Sequence, residues 1–236
     1  MIPRFSRILL INVLSLNFLH SQMAYGDSKT YLKTDCIGPQ KAKHHMVYLH
    51  GWDSPNLGDH EKRNRSMLRK LAKKNQWRIA LPRGNGTCSD QNYQCWNLRS
   101  KAKIKESWSR LLAGANQCFP ASWKTHIPWG IVGFSNGGYF SAAIHNLCLK
   151  PNNHRNGPHW LLAFGSAALG RVPMSKPWNK SCPRLDLASG TNDRVSTKAR
   201  KFSESIRKKG GKSHFYSFKG GHVVHWPTLE RFLLQE

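Results

Sequence analysis

Short apolar runs alternate with longer amphipathic ones along most of this chain, and the alternation predicts its elements. Residues 45–50 (HMVYLH), 77–81 (WRIAL), 128–134, 160–164 (WLLAF), 185–189 (LDLAS) and 214–218 (HFYSF) are brief stretches rich in aliphatic and aromatic residues. Runs of that length bounded by polar or glycine-containing segments predict about six strands. Between them the period lengthens. Residues 57–75 hold a helix with Leu68 and Leu71 on its apolar face, and over 102–117 Ile104, Trp108, Leu111, Leu112 and Ala115 recur at helical spacing. Further helices are predicted from about 137 to 149, 196 to 209 and 226 to 234. Strands that alternate with helices predict an α/β fold, a doubly wound, mainly parallel sheet flanked by helices. In such a sheet ligands sit outside the carboxyl ends of the strands, so chemistry is expected just after strands.

The chain has 236 residues, enough for one domain with a full core. Its start changes the picture. Residues 1–26 place Arg4 and Arg7 before an apolar run from Ile8 to Leu19, with the small residues Ala24 and Gly26 following. This predicts a cleaved signal peptide over 1–26 and a single domain over 27–236, secreted or periplasmic. The run is shorter than the roughly 20 residues of a membrane-spanning helix, and no other span is expected once the signal is removed. Six cysteines, all beyond residue 26, fit an oxidising compartment and disulfides. Their connectivity stays open apart from a local Cys88–Cys95 staple. Without a CxxC pair or a compact His/Cys cluster, neither a metal nor a cofactor is expected.

Charge narrows the partners without choosing one. Lys and Arg number 37 against 12 acids, a net charge of +25, and residues 1–26 carry only two arginines of it. The basic residues are spread along the chain (KAKHH, RSKAKIK, KARKF), which predicts a basic surface on a folded body and attraction to an anionic polymer or envelope surface. No specific nucleic acid is implied.

The sequence GFSNGG, residues 133–138, follows the apolar pair Ile131 and Val132. An ordinary turn needs one glycine, whereas a serine in a sharp strand-to-helix bend needs small neighbours on both sides. With Gly133 and Gly137 framing Ser135, the chain resembles the α/β-hydrolases, whose nucleophile elbow has this GxSxG form. The resemblance implies that fold and a triad in the chain order Ser, acid, His, and the length of the chain leaves room for little or no cap domain beside it. After Ser135 the acids are Asp186, Asp193, Glu204, Glu230 and Glu236. Asp186 lies inside a predicted strand, whereas Asp193 stands in the polar loop just past it, the better position for an orienting acid; its plain alternative is a cap on the helix near Ser196. His222, in KGGHVVHW directly after the last strand, matches the family's histidine position, with His225 as its competitor. By the same resemblance the backbone amides of Asn136 and of Trp52, in the His50-Gly51-Trp52 turn, form the oxyanion hole. The stretch LPRGNGTCSDQNYQCWNL, with its Cys95-Trp96-Asn97 run, resembles a loop of secreted feruloyl-esterase and polyhydroxybutyrate-depolymerase relatives, where Trp96 is either a packed aromatic or a substrate contact; His50, in the HG turn, either supports that loop or contacts substrate.

Two functions fit these residues. One is a secreted serine esterase that forms an acyl-enzyme through Ser135, His222 and Asp193 and acts on an ester substrate. The other is a basic polyanion-binding protein on a non-catalytic hydrolase-like fold, which accounts for the charge but not for the joint placement of the three side chains.

Overall fold

Both faces of the central strands are apolar, and this sets the architecture. The protein is described here by a computed structural model covering residues 34–54, 57–88, 92–119, 128–150, 157–170, 172 and 182–236, within one compact unit, Leu32–Glu236. The predicted signal peptide, 1–26, lies outside the described residues. The strands are β1 (Asp35–Ile37), β2 (His44–Leu49), β3 (Trp77–Leu81), β4 (Gly86–Cys88), β5 (Tyr93–Cys95), β6 (Trp129–Phe134), β7 (Trp160–Phe164), β8 (Arg184–Gly190) and β9 (Phe215–Phe218). The helices are α1 (Asp59–Asn75), α2 (Lys101–Cys118), α3 (Asn136–Asn146), α4 (Ser196–Lys208) and α5 (Trp226–Leu233).

Seven strands form one sheet in the order β1-β3-β2-β6-β7-β8-β9, parallel except for β1 at one edge. Successive side chains of a strand point to opposite faces. Val47 and Leu49 of β2, Ile131 of β6 and Leu161 and Ala163 of β7 therefore join one core with Ile104, Leu111, Phe140 and Ile206 from α2, α3 and α4. Met46, Tyr48, Val132, Leu162 and Phe164 join the other, with Leu68 and Leu71 of α1 and Leu229 and Phe232 of α5. A strand buried on both sides reads as an unbroken apolar run, which is why β2, β6, β7 and β8 were legible, whereas edge strand β9, only partly buried, showed through its aromatic residues.

The chain leaves β2 for β3 on one side and later returns to β6 on the other, so the strand order reverses between β2 and β6. Leu49 pairs with Gly133, which brings the segments after these two strands to the same point on the sheet's carboxyl rim. That switch point is where an α/β sheet leaves a crevice.

Three short strands were not predicted from the sequence. β1, β4 and β5 have three residues each, too few to show a period. Disulfides brace them. Cys88–Cys95 closes the β4–β5 hairpin, and Cys36–Cys118 joins edge strand β1 to the end of α2. Cys148–Cys182 joins the turn after α3 to the entry of β8. Among the described residues no helix is long and apolar enough to cross a membrane.

Candidate active site

At the end of β6 the backbone turns so sharply that Ser135 takes φ 52° and ψ −115°, a left-handed value that a residue with a Cβ adopts only when its surroundings impose it. The glycines explain how the turn closes. A Cβ on Gly133 would lie 2.4 Å from the Gly137 carbonyl oxygen, and one on Gly137 would lie 2.3 Å from the Leu49 carbonyl oxygen. The strand thus crosses the first turn of α3, and that turn crosses the end of β2, at distances only glycine permits. The Ser135 amide donates to the Phe164 carbonyl at 2.9 Å, tying the bend to β7. Ser135 lies at the N-terminus of α3, where the helix dipole favours negative charge.

The loop after β2 passes alongside. A Cβ on Gly51 would come within 3.1 Å of Ser135 Cβ. Among the described residues the amides of Trp52 and Asn136 donate to no other group. The Asn136 side chain is occupied elsewhere: its Oδ1 accepts the Trp96 amide at 2.7 Å and its Nδ2 donates to the Trp96 carbonyl at 3.4 Å.

Two further loops deliver an imidazole and a carboxylate to this rim. Asp193 follows β8, with its side chain 3% exposed, and its Oδ1 accepts the Val195 amide at 3.1 Å. His222 follows β9, and its Nδ1 lies 2.9 Å from Asp193 Oδ2. A carboxylate can only accept, so Nδ1 carries the proton, and in the neutral ring Nε2 is then the nitrogen with the lone pair. The imidazole packs at a tilt on Phe134, with ring centroids 5.1 Å apart, and lines a cavity with Ser135. Gly165, at φ +58° after β7, gives the imidazole its room: a Cβ there would lie 2.7 Å from His222 Cε1.

The competing residues are engaged elsewhere. His225 stacks on Phe218, and its Nδ1 lies 2.8 Å from Thr228 Oγ1; burial and then Arg231 lower its pKa. Asp186 accepts the His214 amide at 2.7 Å and pairs with Arg184 inside the sheet. His50 is buried, with its Nε2 accepting the Gly84 amide at 2.9 Å and its Nδ1 donating to the Gly51 carbonyl at 2.6 Å. One donor and one acceptor make a neutral ring, and burial lowers its pKa to about 4. Its ring holds the turn. Trp96 is fully buried, stacked on Phe140 beneath a cavity that it helps to line.

Sequence reading missed the brace behind Trp52. Asp53 is buried and exchanges two backbone hydrogen bonds with Gln94 of the disulfide-closed hairpin, at 3.1 and 2.7 Å. Its carboxylate accepts the Gly58 amide and Arg83 Nη2, each at 3.0 Å. The only sequence signal was the adjacency of Asp53 to the His50-Gly51-Trp52 turn.

Two cavities meet at Ser135 and Trp52, one of about 500 Å³ and one of about 410 Å³. The Trp52 indole, 60% exposed, borders both. Among the described residues no three His, Cys, Asp or Glu side chains converge as a metal's ligands would.

Comparison with known families gives the decisive match: the family profile described as Serine hydrolase (FSH1) aligns with residues 40–234. The chain belongs to the FSH1 serine hydrolase family. The match spans every strand from β2 to β9 and all five helices. No curated protein sequence matches this serine hydrolase. Among solved structures it is similar to esterase PE8, at 18% identity over 87% of this chain and 99% of that one, with a TM-score of 0.57. A carboxylesterase of Bacillus cereus is similar at 12% identity over 86% and 92%, with a TM-score of 0.58. A ferulic acid esterase is similar at 13% identity over 86% and 88%, with a TM-score of 0.51. At such identities the likeness establishes the fold, the α/β-hydrolase fold expected from the serine turn.

Proposed function

We propose that this serine hydrolase is a secreted or periplasmic carboxylic ester hydrolase that works through Ser135, His222 and Asp193. Ser135 Oγ attacks the ester carbonyl while His222 Nε2 takes its proton, and the Asp193 carboxylate steadies the imidazolium. The Trp52 and Asn136 amides receive the negative charge of the tetrahedral intermediate. His222 returns the proton to the departing alcohol, and water, activated by the same imidazole, releases the acid from the acyl-enzyme. No hydrogen bond joins Ser135 to His222 among the described residues, and such contacts commonly tighten only when substrate binds.

One observation carries the reading: the His222–Asp193 hydrogen bond lies at the rim where Ser135 is held at positive φ. The names of the similar structures agree with ester chemistry. Three disulfides and the Arg-flanked apolar start of the sequence support export. The charge of +23 that remains once the two arginines of residues 1–26 are taken from +25 favours substrates on an anionic polymer or envelope surface, with turnover there falling as salt rises. The direct test is hydrolysis of p-nitrophenyl esters of increasing chain length. Ser135→Ala should lower kcat by about 10⁴-fold or more with the fold intact. Unchanged turnover in that variant excludes Ser135 as nucleophile.

A further inference from the structure

Resting on the ester hydrolase reading, we propose that the two cavities at Ser135 divide the substrate, the acyl group entering the aromatic one and the alcohol the one walled by His222. The preferred substrates are then esters of a bulky apolar or aromatic acid with a hydroxyl-bearing alcohol.

The direction follows from the proton. The departing oxygen has to lie within reach of His222, and His222 lines the 410 Å³ cavity but not the 500 Å³ one. The carbonyl oxygen has to face the Trp52 and Asn136 amides. With those two substituents of the tetrahedral carbon placed and Ser135 supplying the third, the acyl chain points into the remaining cavity.

The walls differ in what they offer. Trp52, Leu98, Tyr139 and Leu169 form the acyl side, over the buried Trp96, and Arg99 there is exposed. About 500 Å³ lies within the range that holds a small aromatic acid. On the alcohol side Ser54 Oγ, His60 Nε2 and Tyr93 Oη make no hydrogen bond among the described residues, so three polar groups remain for a ligand's hydroxyls. The two acids in that wall are already committed, Asp53 to Arg83 and Glu61 to Arg65. They offer no free charge to a cationic alcohol. His60 stacks on Phe134 with centroids 5.1 Å apart and planes 10° apart, which fixes its ring at the wall.

The test measures kcat/KM for methyl and glyceryl esters of acetic and 3-phenylpropionic acids. Glyceryl 3-phenylpropionate is expected to exceed both glyceryl acetate and methyl 3-phenylpropionate by about tenfold. Leu169→Trp, which narrows the aromatic cavity, should lower turnover of both phenylpropionate esters about tenfold and slow deacylation, with acetate esters changed by less than about twofold. His60→Phe keeps the stack and removes the ring nitrogens. It should lower the glyceryl-to-methyl ratio by about threefold to tenfold and leave the acyl preference alone. Wild-type protein lacking both preferences overturns the assignment. So does a reversed pattern, in which Leu169→Trp alters the alcohol preference and His60→Phe the acyl preference. Labelling by a fluorophosphonate separates the two levels: an unlabelled wild type refutes the ester hydrolase reading, and a labelled one with the wrong preferences refutes only this assignment. Should Leu169→Trp fail to fold, the wild-type preferences and His60→Phe still decide.

Discussion

Replacing Gly165 by alanine perturbs the candidate site through one methyl group. Gly165 has φ +58°, and the new Cβ would meet His222 Cε1 at 2.7 Å, Nδ1 at 2.8 Å and Asp193 Oδ2 at 3.2 Å. Ordinary contact begins near 3.4 Å, so ring or backbone has to move by about 0.7 Å. Two consequences can be separated. The left-handed backbone costs an alanine roughly 1–2 kcal/mol, a fall in Tm of about 2–8 °C for a domain of this size. Displacement of the base from Ser135 by close to 1 Å is expected to lower kcat/KM by about 10²-fold. Gly210→Ala is the internal control, because Gly210 has φ +81° and its new methyl would find nothing within 4 Å. It should show the loss of Tm without loss of activity. The assay is p-nitrophenyl acetate hydrolysis at a temperature well below both transitions, with circular dichroism to follow Tm. If Gly165→Ala retains wild-type kcat/KM, His222 does not act from the position it holds beside Gly165.

Other predictions follow from the surroundings of the site. Asp53→Asn keeps the acceptor for the Gly58 amide but removes the charge facing Arg83, so the turn carrying Trp52 loosens. We expect kcat to fall about tenfold with KM changed less than about twofold, read from steady-state kinetics. His50 has its folded pKa lowered to about 4 from 6.5, so between these values the unfolded state binds the proton and stability falls as pH drops. His50→Gln should lessen the fall of Tm with pH between about 6.5 and 4, removing a loss on the order of 3 kcal/mol, while His45 and His145, also lowered to about 4, keep the remaining slope. The double variant Cys36→Ser with Cys118→Ser opens a loop of sequence separation 82 and should lose about 4 kcal/mol in denaturant melts, with activity at 25 °C retained.

What the sequence revealed, and what it did not, follows from the range of the interactions. The central strands announced themselves because burial on both faces leaves an uninterrupted apolar run, as in WLLAF of β7, while edge strand β9 was legible from its aromatic residues. Ser135 was visible because the requirement for glycine is local, at positions 133 and 137. Asp193 and His222 were legible as positions, each just past a strand, though their approach to 2.9 Å depends on the parallel pairing of β8 with β9. Gly165 was not legible. Nothing near it in the chain asks for glycine, and its constraint comes from an imidazole 57 residues away. The Asp53–Gln94 exchange was hidden for the same reason, since it links a loop to a three-residue strand with no periodic signature. Of the disulfides only Cys88–Cys95 could be anticipated, as a local staple. The other two span separations of 82 and 34 and become definite only when the sheet is assembled.

The central claim is that Ser135 is made nucleophilic by His222. Its most direct measurement is mass-spectrometric mapping of a fluorophosphonate adduct on wild-type protein, Ser135→Ala and His222→Ala. The account predicts a single adduct on Ser135 in the wild type and none in the Ser135→Ala protein. In His222→Ala the labelling rate should fall by about 10³-fold or more. An adduct on another serine, or labelling of Ser135 at the wild-type rate without His222, would contradict it.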